Sequence, residues 1–166
     1  MENSLKYAYL ANSLNIVKPT IPRNNIGNIM KLSKHGEYNI VAHNNILVVD
    51  AHGPFTDQLS QQYVKDMYAA CEQFSGQPWG LLVTFYGNSI FSPEAVQSLI
   101  ELTKYRMQHG MIANASVILE SETADLQQIQ LQHIYQVCNC VFHVFCDVDS
   151  AKNWLDVFIT EKAKVI

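Results

Sequence analysis

The densest chemistry in the chain is the stretch Cys138-Asn139-Cys140-Val141-Phe142-His143-Val144-Phe145-Cys146. Read as a string, its three thiols and one imidazole offer four zinc ligands. Geometry rejects them. Val141–Cys146 is rich in β-branched and aromatic residues and reads as a strand, so His143 faces away from Cys140 and Cys146. At ~3.3 Å per residue the six steps from Cys140 to Cys146 cover ~20 Å, whereas zinc draws its ligands to ~2.0–2.3 Å. No metal site is expected, and the thiols read as reduced side chains buried in an apolar strand. Four cysteines with no export signal point to a reducing compartment, the cytoplasm.

Other reactive residues are more dispersed. Cys71 has no basic neighbour in sequence that would lower its pKa and make it a nucleophile. The six histidines, at 35, 43, 52, 109, 133 and 143, form no motif. His52 stands out because a hairpin register, argued below, sets it opposite Glu37 and on the face of Asp50. A carboxylate–imidazole pair of this kind serves acid–base chemistry, although a cross-strand charge pair worth ~0.2–1 kcal/mol is its commoner role. There is no Walker loop and no GxGxxG, so no nucleotide or other cofactor is indicated.

The elements that would position these groups follow from patterning. Tyr38–His43 and Ile46–Ala51 are β-rich runs joined by Asn44-Asn45, and Asn accepts the positive φ of a tight turn. A two-residue loop pairs His43 with Ile46 and Glu37 with His52, placing Tyr38, Ile40, Ala42, Leu47, Val49 and Ala51 on one core face. After Gly53-Pro54, Thr56 reads as a helix N-cap, with Leu59, Tyr63, Met67, Ala70, Cys71 and Phe74 at helical spacing up to Gly76. Trp79–Tyr86 is apolar throughout, as in a strand covered on both sides.

Ser92-Pro93-Glu94 combines a capping hydroxyl, a first-turn proline and an acid at the positive helix end. That helix runs through Val96, Leu99, Ile100, Thr103 and Met107 to His109-Gly110. Ala113–Glu120 reads as a strand and 123–137 as a helix with Leu126, Ile129, Ile134 and Val137 as its apolar stripe. Strand Val141–Cys146 follows. A last helix is capped by Asp149 and buries Trp154, Leu155, Phe158 and Ile159. The alternation predicts an α/β domain: a mostly parallel five-stranded sheet beginning with an antiparallel hairpin, with about four helices.

Composition sets the outer bounds. At 166 residues, one domain is expected. With 48% apolar and 16% charged residues, the chain has enough apolar surface to offset the entropy of ordering. Residues 1–35 hold five basic groups and one acidic, for +4, whereas 36–166 hold six and fourteen, for −8. A negatively charged domain without a Lys/Arg stripe is not a nucleic-acid binder, and no apolar run reaches the ~18–20 residues of a membrane span. Six Asn within the first 28 residues, with Pro19 and Pro22, mark 1–30 as a weakly structured extension. That segment reads as a basic arm, as a short docking helix at Leu5–Leu14, or as sequence ahead of a natural start at Met30.

The hairpin, Gly53-Pro54-Phe55, Pro78-Trp79, the Ser92-Pro93-Glu94-Ala95 helix start and the terminal Ala151…Trp154-Leu155 helix together resemble the STAS-like superfamily over about 31–166. Its best-known members are bacterial anti-sigma-factor antagonists. The resemblance implies a small cytoplasmic regulatory module that binds proteins or small ligands and performs no chemistry. In that family a kinase phosphorylates a serine in an Asp-Ser-Ser/Thr-Gly sequence, and the added charge blocks docking. Here the loop reads Gly87-Asn88-Ser89-Ile90-Phe91-Ser92-Pro93, so Asn88-Ser89 stands where Asp-Ser would, and Ser89 is the corresponding phosphosite candidate.

Two main functions follow as expectations, with an unrecognised enzyme as a third. One is a protein-interaction module, possible as a homodimer, using an exposed loop Tyr86–Phe91 with Tyr86, Ile90 and Phe91 as apolar anchors beside Asn88 and Ser89. The other is a binding module for a small apolar or lipid-like ligand, motivated by low charge and by 8 Tyr, 7 Phe and 2 Trp. This second reading resembles the CRAL-TRIO lipid-binding group in general architecture.

Overall fold

The structure, a computed structural model, describes residues 36–74 and 76–164. The expected extension 1–30, the helix at Leu5–Leu14 and the start at Met30 lie outside the described residues. Strands β1 (Glu37–His43), β2 (Ile46–His52), β3 (Trp79–Tyr86), β4 (Met111–Leu119) and β5 (Val141–Phe145) form one sheet in the order β1-β2-β3-β4-β5. The first pair is antiparallel and the rest are parallel. Helices α1 (Asp57–Glu72), α2 (Pro93–Gln108), α3 (Ala124–Val137) and α4 (Val148–Ala163) alternate with them. The α/β class, the mixed five-stranded sheet and the four helices are as patterning predicts.

Local chemistry explains the boundaries. Asn44 adopts φ 50° in the hairpin turn, and His43 pairs with Ile46 and Glu37 with His52, in the expected register. Thr56 Oγ1 accepts from the Leu59 N–H at 3.3 Å, and Ser92 Oγ from the Ala95 N–H at 3.1 Å. Gly110 closes α2 at φ 96°, where a Cβ would also meet the Gln77 carbonyl oxygen. Among the described residues, no helix is long and apolar enough to cross a membrane.

The sheet divides two cores. One face packs Leu47, Val49, Leu81, Val83 and Phe85 against α1, α2 and α3. The opposite face packs Leu82, Ala113, Ala115 and Val117 against Ala151, Leu155 and Ile159 of α4. Because β2 to β5 advance in one direction with all three crossover helices on one side, strand order never reverses. The crevice that such a reversal opens at strand ends in α/β sheets is therefore missing here.

Two helix assignments need correction. The cap of α4 is Asp147, not Asp149: its Oδ1 accepts from the Ser150 N–H at 2.7 Å and its Oδ2 from the Ser150 hydroxyl at 2.8 Å. The strand ends at Phe145, so the helix starts early enough to leave Asp149 in its first turn. The second concerns α3. Leu126, Ile129 and Val137 are 55%, 61% and 51% exposed, while Gln127, Leu131, Ile134 and Tyr135 are buried. At ~100° per residue the first three share a stripe, and Ile134 belongs to the other one. In α4 the fully buried stripe is Ala151, Leu155 and Ile159, with Trp154 and Phe158 packed at its edge.

Candidate functional site

Between the sheet and helices α1–α3 lies a cavity lined mainly by apolar and aromatic side chains. Its floor is Val49, Ala51, Val83 and Phe85 from the sheet. One wall comes from Leu59, Tyr63 and Val64 of α1, a second from Ala95, Leu99 and Arg106 of α2, and a third from Leu131, Ile134 and Tyr135 of α3. About 670 Å³ lies free of atoms when the mouth is counted, and about 50 Å³ of it is wide enough for the centre of a water molecule. The space is a slot: it suits a slender chain rather than a bulky ring system.

Aromatic rings close the end of the slot at the carboxyl termini of the strands. Phe55 stacks on Phe91 with centroids 5.7 Å apart, and both meet Phe85 edge-on at 6.1 and 5.9 Å. Tyr63 meets Tyr38 edge-on at 5.2 Å. Ser60, Val64 and Leu99 are half-buried and Ser98 is exposed, so the mouth opens between α1 and α2.

Arg106 is the unusual lining residue. Ala95, Leu102, Thr103 and Arg106 follow helical spacing along the buried stripe of α2, so the guanidinium lands in the core at 1% exposure. Its Nη2 donates to Thr103 Oγ1 at 2.7 Å, while its Nε has no acceptor. Arginine is almost never fully buried without a partner charge, and it stays protonated in proteins. The groups that act on it are Tyr135, Tyr63, Cys71 and Cys140, with no carboxylate among them. Burial pushes the Cys71 and Cys140 thiols up to about 11, against the pull of Arg106. Burial likewise raises both phenols, with Arg106 opposing it by charge and hydrogen bonding. All four groups are therefore neutral near pH 7. Arg106 is a buried cation without a counterion among the described residues.

The same layer holds further unmatched polarity. Asn114 accepts from the Ser116 hydroxyl at 3.0 Å, but its Nδ2 has no acceptor. Gln127 is 0% exposed, and neither its Nε2 nor its Oε1 has a partner. Asn114 pairs in register with Leu81 and Phe142, which face α1–α3, and Gln127 lies one turn before Leu131 on the buried stripe of α3. Buried polar groups in native proteins are overwhelmingly satisfied. Among the described residues, the buried side-chain atoms without a partner fall on the cavity side of the sheet.

Of the residues singled out in the sequence, Phe91 lines this cavity and the others sit elsewhere. In the loop after β3, Asn88 is exposed and Ile90 is 48% exposed, but Ser89 and Phe91 are buried at 1% and 7%. An exposed loop is the expectation, with packing onto the sheet the competing reading for Phe91. Instead Ser89 packs against Gly53, where a Cβ would strike the Ser89 hydroxyl and the Asn88 carbonyl oxygen, so a kinase would have to expose the loop first. Phe91 is an inward anchor, held by reciprocal bonds with Gln130 at 2.9 and 2.8 Å. Tyr86 is half-buried and stacks on His52 at 4.4 Å.

His52 and Glu37 do come together. Burial lowers the His52 pKa, while Glu37 and Glu120 work in the opposite sense. Asp50, two residues earlier on the same face, is pushed up to about 6 by burial. The thiols depart from expectation: Cys138 and Cys140 are half-buried and Cys146 is exposed, and all three lie outside the edge strand β5, in the turns on either side of it. All four cysteines are free, and among the described residues no cluster could hold a metal ion. His143 packs on Trp154 of α4 while Cys140 packs in the opposite core, as strand alternation requires.

Arg106 escaped the sequence reading, although a signal was there. It lies three residues after Thr103 and seven after Leu99, both on the expected apolar stripe of that helix. Comparison with protein families, with characterised proteins and with solved structures finds no match for this chain.

Proposed function

We propose that this protein is a non-enzymatic binding module that holds a small apolar ligand between its sheet and helices α1–α3. The observation that carries this reading is the slot itself, lined by apolar and aromatic residues and opening between α1 and α2. Ligand sites are typically such apolar concavities with a few placed polar groups. The STAS-like resemblance fits a small binding module, and the four free thiols fit a reducing, cytoplasmic setting. The test is native mass spectrometry of protein purified from its own host, with a Leu99→Trp variant that obstructs the mouth. A small-molecule adduct on wild type that is lost in the variant is expected. Bare wild-type protein that also fails to take up added apolar compounds would refute the reading.

A specific observation favours a second reading, the protein-interaction module. Leu126, Ile129 and Val137 form an exposed apolar stripe on α3. The loop carrying Ile90 is tied to the start of this helix, where Asn88 Oδ1 accepts from the Glu122 N–H at 2.8 Å. Contiguous exposed apolar surface marks interaction sites. Self-association is the form testable with this chain alone: light scattering should report a dimer for wild type and a monomer for Ile129→Glu. A wild-type monomer at high concentration removes the homodimer.

A further inference from the structure

We infer that the ligand is an unbranched monocarboxylic acid, its carboxylate held by Arg106 at the inner end of the slot and its chain running toward the mouth. This rests on the apolar-ligand reading above and adds the head-group chemistry. Arg106 lines the cavity, is 1% exposed, lacks an acceptor at Nε and has no counterion among the described residues. Burying such a cation is costly unless an anion joins it. A ligand bearing one negative charge supplies that anion.

Geometry favours a carboxylate. The Nε–H has no acceptor and lies on the guanidinium edge that it shares with one Nη group. That edge matches the two oxygens of a carboxylate. The neutral phenols of Tyr63 and Tyr135 hydrogen-bond with the guanidinium and complete a polar pocket in which, among the described residues, no second cation lines the cavity. A doubly charged phosphate monoester would leave one charge uncompensated there. The rest of the lining is chain-binding: from Arg106 back to Leu99 at the mouth, seven residues of helix at 1.5 Å each span about 10 Å, flanked by Leu131 and Ile134.

The test uses the full chain after removal of bound lipid, titrated by calorimetry near pH 7.5 with decanoate, decan-1-ol and decylamine. Decanoate should bind at least about tenfold more tightly than decan-1-ol, the scale of charge-assisted hydrogen bonds, and decylamine least. Arg106→Met should abolish the preference for decanoate over decan-1-ol. Equal binding of acid and alcohol by wild type overturns the carboxylate assignment while the apolar-ligand reading stands. Binding of none of the three overturns both. A readout on unmodified protein guards against a misfolded variant: decanoate labelled with ¹³C at its carboxyl should stay ionised, when bound, to lower pH than free decanoate. Titration at or above the free value refutes the contact with Arg106.

Discussion

Arg106→Met should make the ligand-free protein more stable. The wild-type side chain is a fully buried guanidinium whose Nε is unpartnered and whose charge faces neutral phenols and thiols. Desolvating such an ion costs several kcal/mol even after relaxation. Offsetting this in part are hydrogen bonds to Thr103 and to the phenols of Tyr63 and Tyr135, and a position in the last turn of α2, worth about 0.3–1 kcal/mol. Methionine fills comparable space with an unbranched apolar chain and needs no acceptor. Replacing buried ionic groups by apolar residues of similar volume is commonly neutral to stabilising by about 1–4 kcal/mol, and a gain of about 1–3 kcal/mol is expected here. For a chain of this length that raises Tm by about 2–10 °C. Urea denaturation followed by circular dichroism measures it, with an unchanged m-value as the check that both states are comparable. Arginine does not titrate, so the gain should be flat from mildly acidic to mildly alkaline pH. A loss of 1 kcal/mol or more at constant m would refute the reasoning. Arg106 would then be a structural tie, and its missing acceptor would say nothing about a ligand.

Three further outcomes follow from other parts of the fold. Asp50→Asn should stabilise the protein above pH 7 by up to about 3 kcal/mol, since a carboxyl raised from 3.8 to about 6 costs about 1.4 kcal/mol per unit when ionised. The folded state holds that proton more tightly than the unfolded one, so wild-type stability should fall as pH rises from about 4 to 6, and Asn should abolish that slope; equal stability curves for both proteins would refute it. Gly53→Ala should cost about 1–3 kcal/mol by overpacking, and adding Ser89→Ala should not restore stability fully, because the Asn88 carbonyl oxygen is also in the way. Ile129→Lys should change unfolding free energy by no more than about 0.5 kcal/mol, whereas Leu131→Ala should cost about 2–5 kcal/mol; the reverse order would mean α3 presents its other face to the sheet.

Short-range chemistry carried much of the architecture. The Asn44-Asn45 turn dictated the hairpin register residue by residue, because a two-residue loop leaves a single pairing and the alternating pattern leaves a single inward face. Ser92 and Thr56 marked helix starts through their own hydroxyls. Hydropathy went astray where the buried face is not apolar. On α3 the inward stripe carries Gln127 and Tyr135, and the outward stripe carries Leu126, Ile129 and Val137. A rule that sends apolar residues inward must choose the outward one. The thiols flanking β5 are another instance: an edge strand and a central strand read alike in sequence, and Cys146 lies exposed just beyond the end of this edge strand.

The candidate site was barely legible. Its aromatic richness was visible as composition, but Phe55, Phe85 and Phe91 come from separate elements and meet only when β3 and its flanking loops fold against one another. Cys71 looked remote from any cation because Arg106 is 35 positions away in sequence. What the amino acids determine alone is local: turns, caps, periods and the order of strands and helices, all governed by neighbours within a few residues. What tertiary structure decides is which helix face turns inward and which distant groups share one desolvated space. Burial is a property of the assembled layers, and it is burial that turns an ordinary arginine into an unpaired charge.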